Sequence, residues 1–325
     1  MRDPYGRSID YMRLSITDLC NLRCNYCIPH GICRVPMREI LTYEEILEIV
    51  ETAVSLGITK YKVTGGEPLV RREALSFIRR LKEVEGLSQV TMTTNGILLK
   101  EKLEELKGTG LDGLNISLDT MNPDTYCRIT GFPEFSRVLD GIYASVEAGI
   151  RTKVNVVLQK GINEGDWKDL ILLSRDLPVD VRFIELMPIG EGDCSKGIDN
   201  RLLKEEIRRL YPDLEEDNSI HGNGPAVYVH IPGFQGSIGF ISAMHGKFCT
   251  HCNRLRLTSV GELKPCLCYE DSVDLKAILR SEEKEGRRTL LKEAIMKAIS
   301  QKPGSHCFEE PCSISEQKRM VDIGG

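Results

Sequence analysis

Six short runs rich in β-branched and apolar residues recur along the first two-thirds of the chain: MRLSIT from Met12, YKVTG from Tyr61, VTMTT from Val90, LNISLD from Leu114, KVNVVL from Lys153 and VRFIELM from Val181. Each suits a strand, and helical patterns lie between them. The clearest helix opens with Thr42 and Glu45 in a capping-box arrangement, runs Ile46, Ile49, Val50, Ala53 and Val54 along one face, and meets Gly57 at its end. Strands alternating with helices at about 30 residues per unit call for a parallel sheet with right-handed crossovers. Six βα units fall short of the eight that close a barrel. The expected fold is therefore α/β, an open, partial (βα)6 TIM-like barrel, with its functional groups at the carboxyl ends of the strands.

After about residue 212 the alternation stops in a polar segment, DLEEDNSIHGNGPA, which reads as a boundary. Residues 1–212 are expected to form the barrel and residues 213–325 a smaller C-terminal domain. That domain holds strand-like YVHIPGF and SIGFIS, a charged helix near 284–300, and a tail ending in Ile323, Gly324 and Gly325. A chain of 325 residues, 41% hydrophobic and 28% charged, is long enough for one large core and a second, smaller one. Its formal charge of -5 provides no global field for nucleic acid, so a polyanionic ligand has to meet a local basic pocket. Charged residues follow Met1 at once, and no run of about 18 apolar residues follows. Neither a secretory signal nor a membrane span is expected, which points to the cytoplasm.

In a chain read as cytoplasmic, twelve cysteines are better explained by metal binding or catalysis than by disulfides. Cys20, Cys24, Cys27 and Cys33 lie near the start, Cys249, Cys252, Cys266 and Cys268 in the last third, and Cys307 and Cys312 near the end, with Cys127 and Cys194 alone. CNLRCNYC follows the first strand and places Cys20, Cys24 and Cys27 in one short arc. A four-iron cluster commonly takes four thiolates. With three, one iron stays open to chelate a small molecule and pass it an electron. A zinc site completed by Cys33 or His30 is the alternative. The second group, FCTHCNRLRLTSVGELKPCLC, gives Cys249 and Cys252, then Cys266 after thirteen residues. There a structural zinc completed by Cys268 or His251 fits the spacing as well as an iron–sulfur cluster does.

Cations suited to a phosphate chain sit on the expected strands: Arg13, Lys62, Lys153 and Arg182. Arg254 and Arg256 alternate in NRLRL, so an extended backbone turns both to one side. Any single Lys or Arg is more often a solvated surface charge, but placement on barrel strands argues for an interior position.

CNLRCNYC, with an aromatic residue before its third cysteine, and Gly65-Gly66-Glu67-Pro68 after the second strand together resemble the radical S-adenosylmethionine superfamily. A closer resemblance, to the GTP 3′,8-cyclase family that begins molybdenum cofactor biosynthesis, covers nearly the whole chain. It runs from YGR and DYMRLSITDLC through VTGGEPLVR, MTTNG, ISLDT, KVNVV and RFIELMPIG to IPGF, IGFIS, FCTHCNRLRLT and the final IGG.

The resemblance implies two 4Fe-4S clusters. Cys20, Cys24 and Cys27 would hold the first, whose open iron binds S-adenosylmethionine. Cys249, Cys252 and Cys266 would hold the second, whose open iron binds guanine. A 5′-deoxyadenosyl radical would remove hydrogen from the ribose 3′ carbon of GTP, and that carbon would close onto the guanine imidazole carbon. The product would be (8S)-3′,8-cyclo-7,8-dihydroguanosine 5′-triphosphate.

By the same resemblance Tyr26, Gly66, Ser117 and Met187 would contact S-adenosylmethionine. Arg13, Lys62, Thr93, Lys153, Arg254, Leu255 and Arg256 would contact GTP. The resemblance also implies that the Gly324-Gly325 tail enters the active site, while Arg182, by its place on the sixth strand, and Arg319, by its nearness to the tail, would extend the basic lining. The implied partners are GTP, a flavodoxin- or ferredoxin-like electron donor, the cyclic pyranopterin monophosphate synthase that uses the product, and a second copy of the chain in a homodimer, with no nucleic acid or membrane. Cys33, Cys127, Cys194, Cys268, Cys307 and Cys312 have no role in this pattern. A peptide-modifying radical enzyme is the nearest rival, though such enzymes usually carry more cysteines in the C-terminal domain. A zinc-stabilised binding protein would leave the Gly-Gly-Glu-Pro turn without a purpose.

Overall fold

The computed structural model describes residues 1–32, 35–282, 285–310 and 313–324. Cys33, Cys312 and Gly325 lie outside the described residues. The six expected strands are β1 Tyr11–Ser15, β2 Lys60–Thr64, β3 Gln89–Thr94, β4 Gly113–Ser117, β5 Thr152–Val156 and β6 Val179–Ile184. They pair in chain order and all in parallel. The connecting helices are α1 Tyr43–Val54, α2 Ala74–Lys82, α3 Leu103–Lys107, α4 Pro123–Thr130, α5 Phe135–Glu147 and α6 Trp167–Asp176. This is the partial barrel.

Local chemistry fixes where the helices begin and end. Thr42 and Glu45 form a reciprocal capping box at α1, the Thr42 hydroxyl accepting from the Glu45 amide at 3.1 Å and the Glu45 carboxylate from the Thr42 amide at 2.7 Å. At the other end the amides of Gly57 and Ile58 reach back to the carbonyls of Val54 and Ala53, with Gly57 at φ +89°.

After α7 Asn200–Leu210 the chain adds β7 Glu215–Asp217, β8 Val227–His230, β9 Ile238–Ile241, β10 Arg254–Leu257, β11 Glu262–Lys264 and β12 Val273–Asp274, then α8 Leu275–Leu279 and α9 Arg287–Ser300. These strands continue the barrel sheet at both edges: β10 pairs parallel with β1, and β9 pairs parallel with β6. The outer strands are antiparallel, β11 and β12 beyond β10, and β8 and β7 beyond β9. The residue order alone did not indicate this flanking arrangement, because strand pattern carries no label for its neighbour.

The period of two along each strand divides the sheet into two faces. Met12, Leu14, Val63, Met92, Ile116, Val154 and Phe183 belong to the apolar core, while Arg13, Lys62, Thr93, Ser117, Asn155 and Arg182, the alternate residues, face the barrel interior and line its cavity. A second, small core of Ile189, Cys268, Phe308 and Ile323 joins the C-terminal segment to the barrel mouth.

Candidate active site

The loop after β1 and the turn after β2 are locked together by backbone hydrogen bonds. The amide of Gly66 donates to the Thr17 carbonyl at 2.8 Å and that of Glu67 to the Leu19 carbonyl at 2.7 Å. A Cβ at Gly66 would lie 2.3 Å from the Leu19 carbonyl oxygen, and one at Gly65 2.6 Å from that of Thr17. Only glycine permits so close an approach. Glu67, 1% exposed, pins the turn from below by accepting from the amides of Leu69 at 3.0 Å and Asn95 at 2.6 Å and from the Thr94 hydroxyl at 2.8 Å. Burial nevertheless pushes its carboxyl up to about 7. With the amides of Gly66 and Glu67 committed to the loop, the turn's carbonyl oxygens can accept from a ligand's ammonium group.

Cys20, Cys24 and Cys27 project from this loop into a cavity of about 360 Å³, and Cys249, Cys252 and Cys266 line the same cavity from the C-terminal part of the chain. Burial raises the thiols of the first group, Cys20 to about 11, Cys27 to about 12, and Cys24 well above its ordinary range. In the second group burial also raises Cys249. Burial acts the same way on Cys252, but Arg254 and Lys302 overcome it and bring this thiol down to about 6. Buried thiols of this kind release protons when they take a metal.

Among the described residues neither cysteine trio has all its sulfurs within 4.8 Å of one another, whereas the ligand atoms of Glu185, Asp199 and His245 do meet that distance. A tetrahedral zinc about 2.3 Å from each sulfur would hold them about 3.8 Å apart. The wider spread suits a polynuclear iron–sulfur cluster, and this donor set of three thiolates fits such a group.

Between the two cysteine groups the cavity wall is cationic. Arg13, Lys62, Arg182, Arg254, Arg256 and Lys302 all line it. Arg13 pairs in register with Lys62 on one side and Arg256 on the other. Burial, with repulsion from Arg182 and Arg13, holds the Lys62 ammonium well below its ordinary range, and burial brings Arg13 down to about 10. Arg256 is lowered by burial and by Arg13 and Arg254. Among the described residues the buried Nε of Arg13 and Nη1 of Arg256 have no hydrogen-bond partner. Desolvated cations with unspent donors call for an anion, and several converging from separate strands suit a phosphate chain.

At the far side Tyr26 donates its hydroxyl to Asp119 at 2.8 Å, and Asp119 also accepts from the Val157 amide at 2.8 Å. Burial raises Asp119 to about 6. Ser117 and Met187 complete this end of the cavity beside Gly66.

Comparison with known proteins agrees with the geometry. The family profile described as Radical SAM superfamily matches residues 14–173, and that described as Molybdenum Cofactor Synthesis C matches residues 179–308. A GTP 3′,8-cyclase of Alkaliphilus oremlandii (strain OhILAs) is 43% identical over 327 aligned residues, covering 100% of both chains. The GTP 3′,8-cyclase of Thermodesulfovibrio yellowstonii (strain ATCC 51303 / DSM 11347 / YP87) is 44% identical over 93% of this chain and 94% of its own.

The chain belongs to the GTP 3′,8-cyclase family.

As a cyclase-family member it is also a member of the radical S-adenosylmethionine superfamily, whose cofactor set is a 4Fe-4S cluster and S-adenosylmethionine. Among solved structures, Streptococcus suis SuiB matches at a TM-score of 0.63 with 14% identity, covering 98% of this chain and 77% of its own. The structure of anSMEcpe with bound AdoMet matches at 0.60 with 16% identity, covering 97% and 92%. These likenesses show the fold. No helix among the described residues is long and apolar enough to cross a membrane.

The residues implied by the cyclase resemblance do not all reach the same place. Lys153 lines an adjoining cavity of about 240 Å³ at the opposite end of the barrel interior, which also takes in Lys62 and Arg182. There its ammonium meets Asp180 at 3.0 Å and the Tyr228 hydroxyl at 3.0 Å. Leu255 has its side chain outside the cavity: it lies at 0% exposure in the core, because alternation along β10 turns it away from Arg254 and Arg256. Arg319 pairs with Asp322 at 2.9 Å and donates to the Gly31 carbonyl at 2.9 Å. Gly324 lies in the barrel mouth, its carbonyl accepting from the Thr64 hydroxyl at 3.0 Å.

Other residues around this cavity carry no signal in the sequence. Lys302, 4% exposed, donates to the carbonyls of Arg254 at 2.8 Å and Pro265 at 2.6 Å and so braces the second cysteine loop. Arg7 clamps the same loop from the N-terminus, donating to the carbonyls of Cys249 at 2.8 Å, Pro303 at 2.7 Å and Gly304 at 3.1 Å while pairing with buried Asp3 at 2.6 Å. The YGR triplet that contains Arg7 was visible as pattern, but nothing local indicated contacts nearly 300 residues away.

Proposed function

We propose that this chain converts GTP to (8S)-3′,8-cyclo-7,8-dihydroguanosine 5′-triphosphate, the first step of molybdenum cofactor biosynthesis. The observation that carries the reading is the cavity in which two cysteine trios face each other across a wall of buried and half-buried cations. Residues 1–212 act as the radical-generating barrel and give part of the GTP site, and residues 213–325 add the second cysteine trio with Arg254 and Arg256. Cys20, Cys24 and Cys27 hold the first 4Fe-4S cluster, and Cys249, Cys252 and Cys266 the second. When bound, the first cluster supplies the electron that cleaves S-adenosylmethionine to methionine and a 5′-deoxyadenosyl radical, and the second supplies an open iron for the guanine ring.

The protein's own groups orient the reactants. Carbonyls of the Gly65-Gly66 turn accept from the amino group of S-adenosylmethionine, while Tyr26, Ser117 and Met187 line its end of the cavity. Arg13, Lys62, Thr93, Arg254 and Arg256 hold GTP, and Arg182 and Lys153 extend the cationic path toward the adjoining cavity. The desolvated cations act more strongly on phosphate there than they would in water. Fixing the ribose 3′ carbon within reach of the radical, with water excluded, directs hydrogen abstraction to that carbon. Its closure onto C8 of guanine follows from the same fixed pose. Gly324 lines the mouth, where a Cβ would come 3.1 Å from the Ser15 Cβ.

The family assignment also supports a flavodoxin- or ferredoxin-like electron donor, a homodimer, a cytoplasmic location and transfer of the product to cyclic pyranopterin monophosphate synthase. The experiment is anaerobic reconstitution followed by metal analysis and incubation with dithionite, S-adenosylmethionine and GTP. About eight irons per chain, 5′-deoxyadenosine and a cyclised GTP support the reading. About four irons with zinc, and 5′-deoxyadenosine without altered GTP, would keep the radical barrel and overturn the substrate.

A further inference from the structure

Cys268 and Cys307, two cysteines outside both cluster-binding trios, have their sulfurs 3.3 Å apart. Cys268 follows β11 two residues beyond Cys266 and is fully buried, packed with Ile189, Phe308 and Ile323 in the small core at the barrel mouth. Cys307 lies between His306 and Phe308, both of which line the active-site cavity, and is itself partly exposed. The Cys307 amide points at the Cys268 sulfur at 3.5 Å, and the Cys307 thiol donates to the Ser313 carbonyl at 3.1 Å. The Glu316 amide donates to the Cys268 carbonyl at 3.3 Å. The two sulfurs thus sit where the C-terminal segment crosses the second cysteine loop, one accessible and one behind it.

We infer that Cys268 and Cys307 are a disulfide-forming site, oxidised reversibly by a small-molecule disulfide, that ties the C-terminal wall of the cavity to the second cysteine loop. A bond requires the sulfurs to close from 3.3 Å to about 2.05 Å, a movement within the reach of side-chain rotation. The accessible Cys307 sulfur attacks one sulfur of the oxidant and releases the other half as a thiol. The Cys268 sulfur then attacks the mixed disulfide, forming the Cys268–Cys307 bond and releasing the second half. Two protein thiols are oxidised and one disulfide is reduced to two thiols, so no metal and no oxygen enter the balance.

The bond would join the loop carrying Cys266 to the segment carrying Lys302, His306, Phe308, Met320 and Val321 of the cavity wall. Among the described residues that segment contains neither strand nor α-helix beyond α9, so a covalent tie there limits its opening. The inference does not depend on the identity of the substrate.

The test uses anaerobically reconstituted protein incubated with oxidised glutathione, then alkylated, digested and read by mass spectrometry. The expected result is a Cys268–Cys307 linked peptide pair, lighter by two hydrogens than its reduced form and separated by dithiothreitol, with iron content unchanged. Hydrogen exchange over residues 302–324 should slow in the oxidised protein. Cys268→Ala should leave a stable glutathione adduct on Cys307, because the resolving sulfur is gone, and Cys307→Ser should leave Cys268 unlinked. A persistent Cys307 adduct in the unsubstituted protein, a bond from Cys268 to any other cysteine, or alkylation of both thiols after oxidation would overturn the inference.

Discussion

Arg13 on β1 and Arg256 on β10 lie directly opposite each other in parallel register, both facing the cavity and each with a buried guanidinium nitrogen that no group among the described residues satisfies. Two adjacent desolvated cations are unfavourable in the empty protein, and they become favourable when an anion meets both. The pair therefore links stability to binding with opposite signs.

Replacing Arg256 with Met should stabilise the ligand-free protein by about 1–4 kcal/mol, because an unpaired buried charge is exchanged for apolar packing. The same variant should lose about 2–5 kcal/mol of GTP affinity. Thermal denaturation without nucleotide and calorimetric titration with GTP check the two signs separately. A loss of both stability and binding would mean that Arg256 has a structural partner.

GTP binding should take up protons near and above neutral pH. Burial and neighbouring cations hold Lys62 well below its ordinary range, and Lys153 is lowered to about 8 chiefly by burial and Arg182. A triphosphate favours the charged form of both, so affinity should fall as pH rises through about 8. Titration in buffers of different ionisation enthalpy measures the uptake, and Lys62→Arg should reduce it.

Gly66→Ala should cost the first cluster and spare the second. Its Cβ would meet the Leu19 carbonyl at 2.3 Å, forcing the Cys20–Cys27 loop off the turn. Iron analysis after reconstitution should give about four irons per chain instead of about eight.

Arg7→Met should do the reverse. It removes three hydrogen bonds to the carbonyls of Cys249, Pro303 and Gly304 and leaves Asp3 as a buried unpaired carboxylate, at a cost of about 3–5 kcal/mol. Retained 5′-deoxyadenosine formation with lost GTP cyclisation is the expected activity pattern.

Burial raises Glu67 to about 7, above its unfolded value. Its contribution to stability is present in full below about pH 4.5 and is lost as pH rises toward about 7. The difference in melting temperature between the protein and Glu67→Gln should therefore change across that window and be flat above it.

Much of this was legible in the residues because it is local. Alternation fixed the six parallel strands and turned Arg13, Lys62 and Arg182 inward, and the Thr42-Glu45 pair marked the start of α1. The same alternation explains why Leu255, between two inward arginines, ends in the core. What could not be read depends on distant neighbours. Lys302 sits in an unremarkable Gln-Lys-Pro run and acquires its place by reaching the carbonyls of Arg254 and Pro265. Nor does any pattern in β9 or β10 indicate that they continue the barrel sheet at opposite edges.

The most direct measurement is the fate of hydrogen in GTP deuterated at the ribose 3′ carbon, incubated with the anaerobically reconstituted enzyme, dithionite and S-adenosylmethionine. The account predicts one deuterium in the 5′-deoxyadenosine and a cyclised nucleotide in matching amount. Unlabelled 5′-deoxyadenosine beside intact GTP would show that the radical forms but that the cationic cavity does not present this carbon to it.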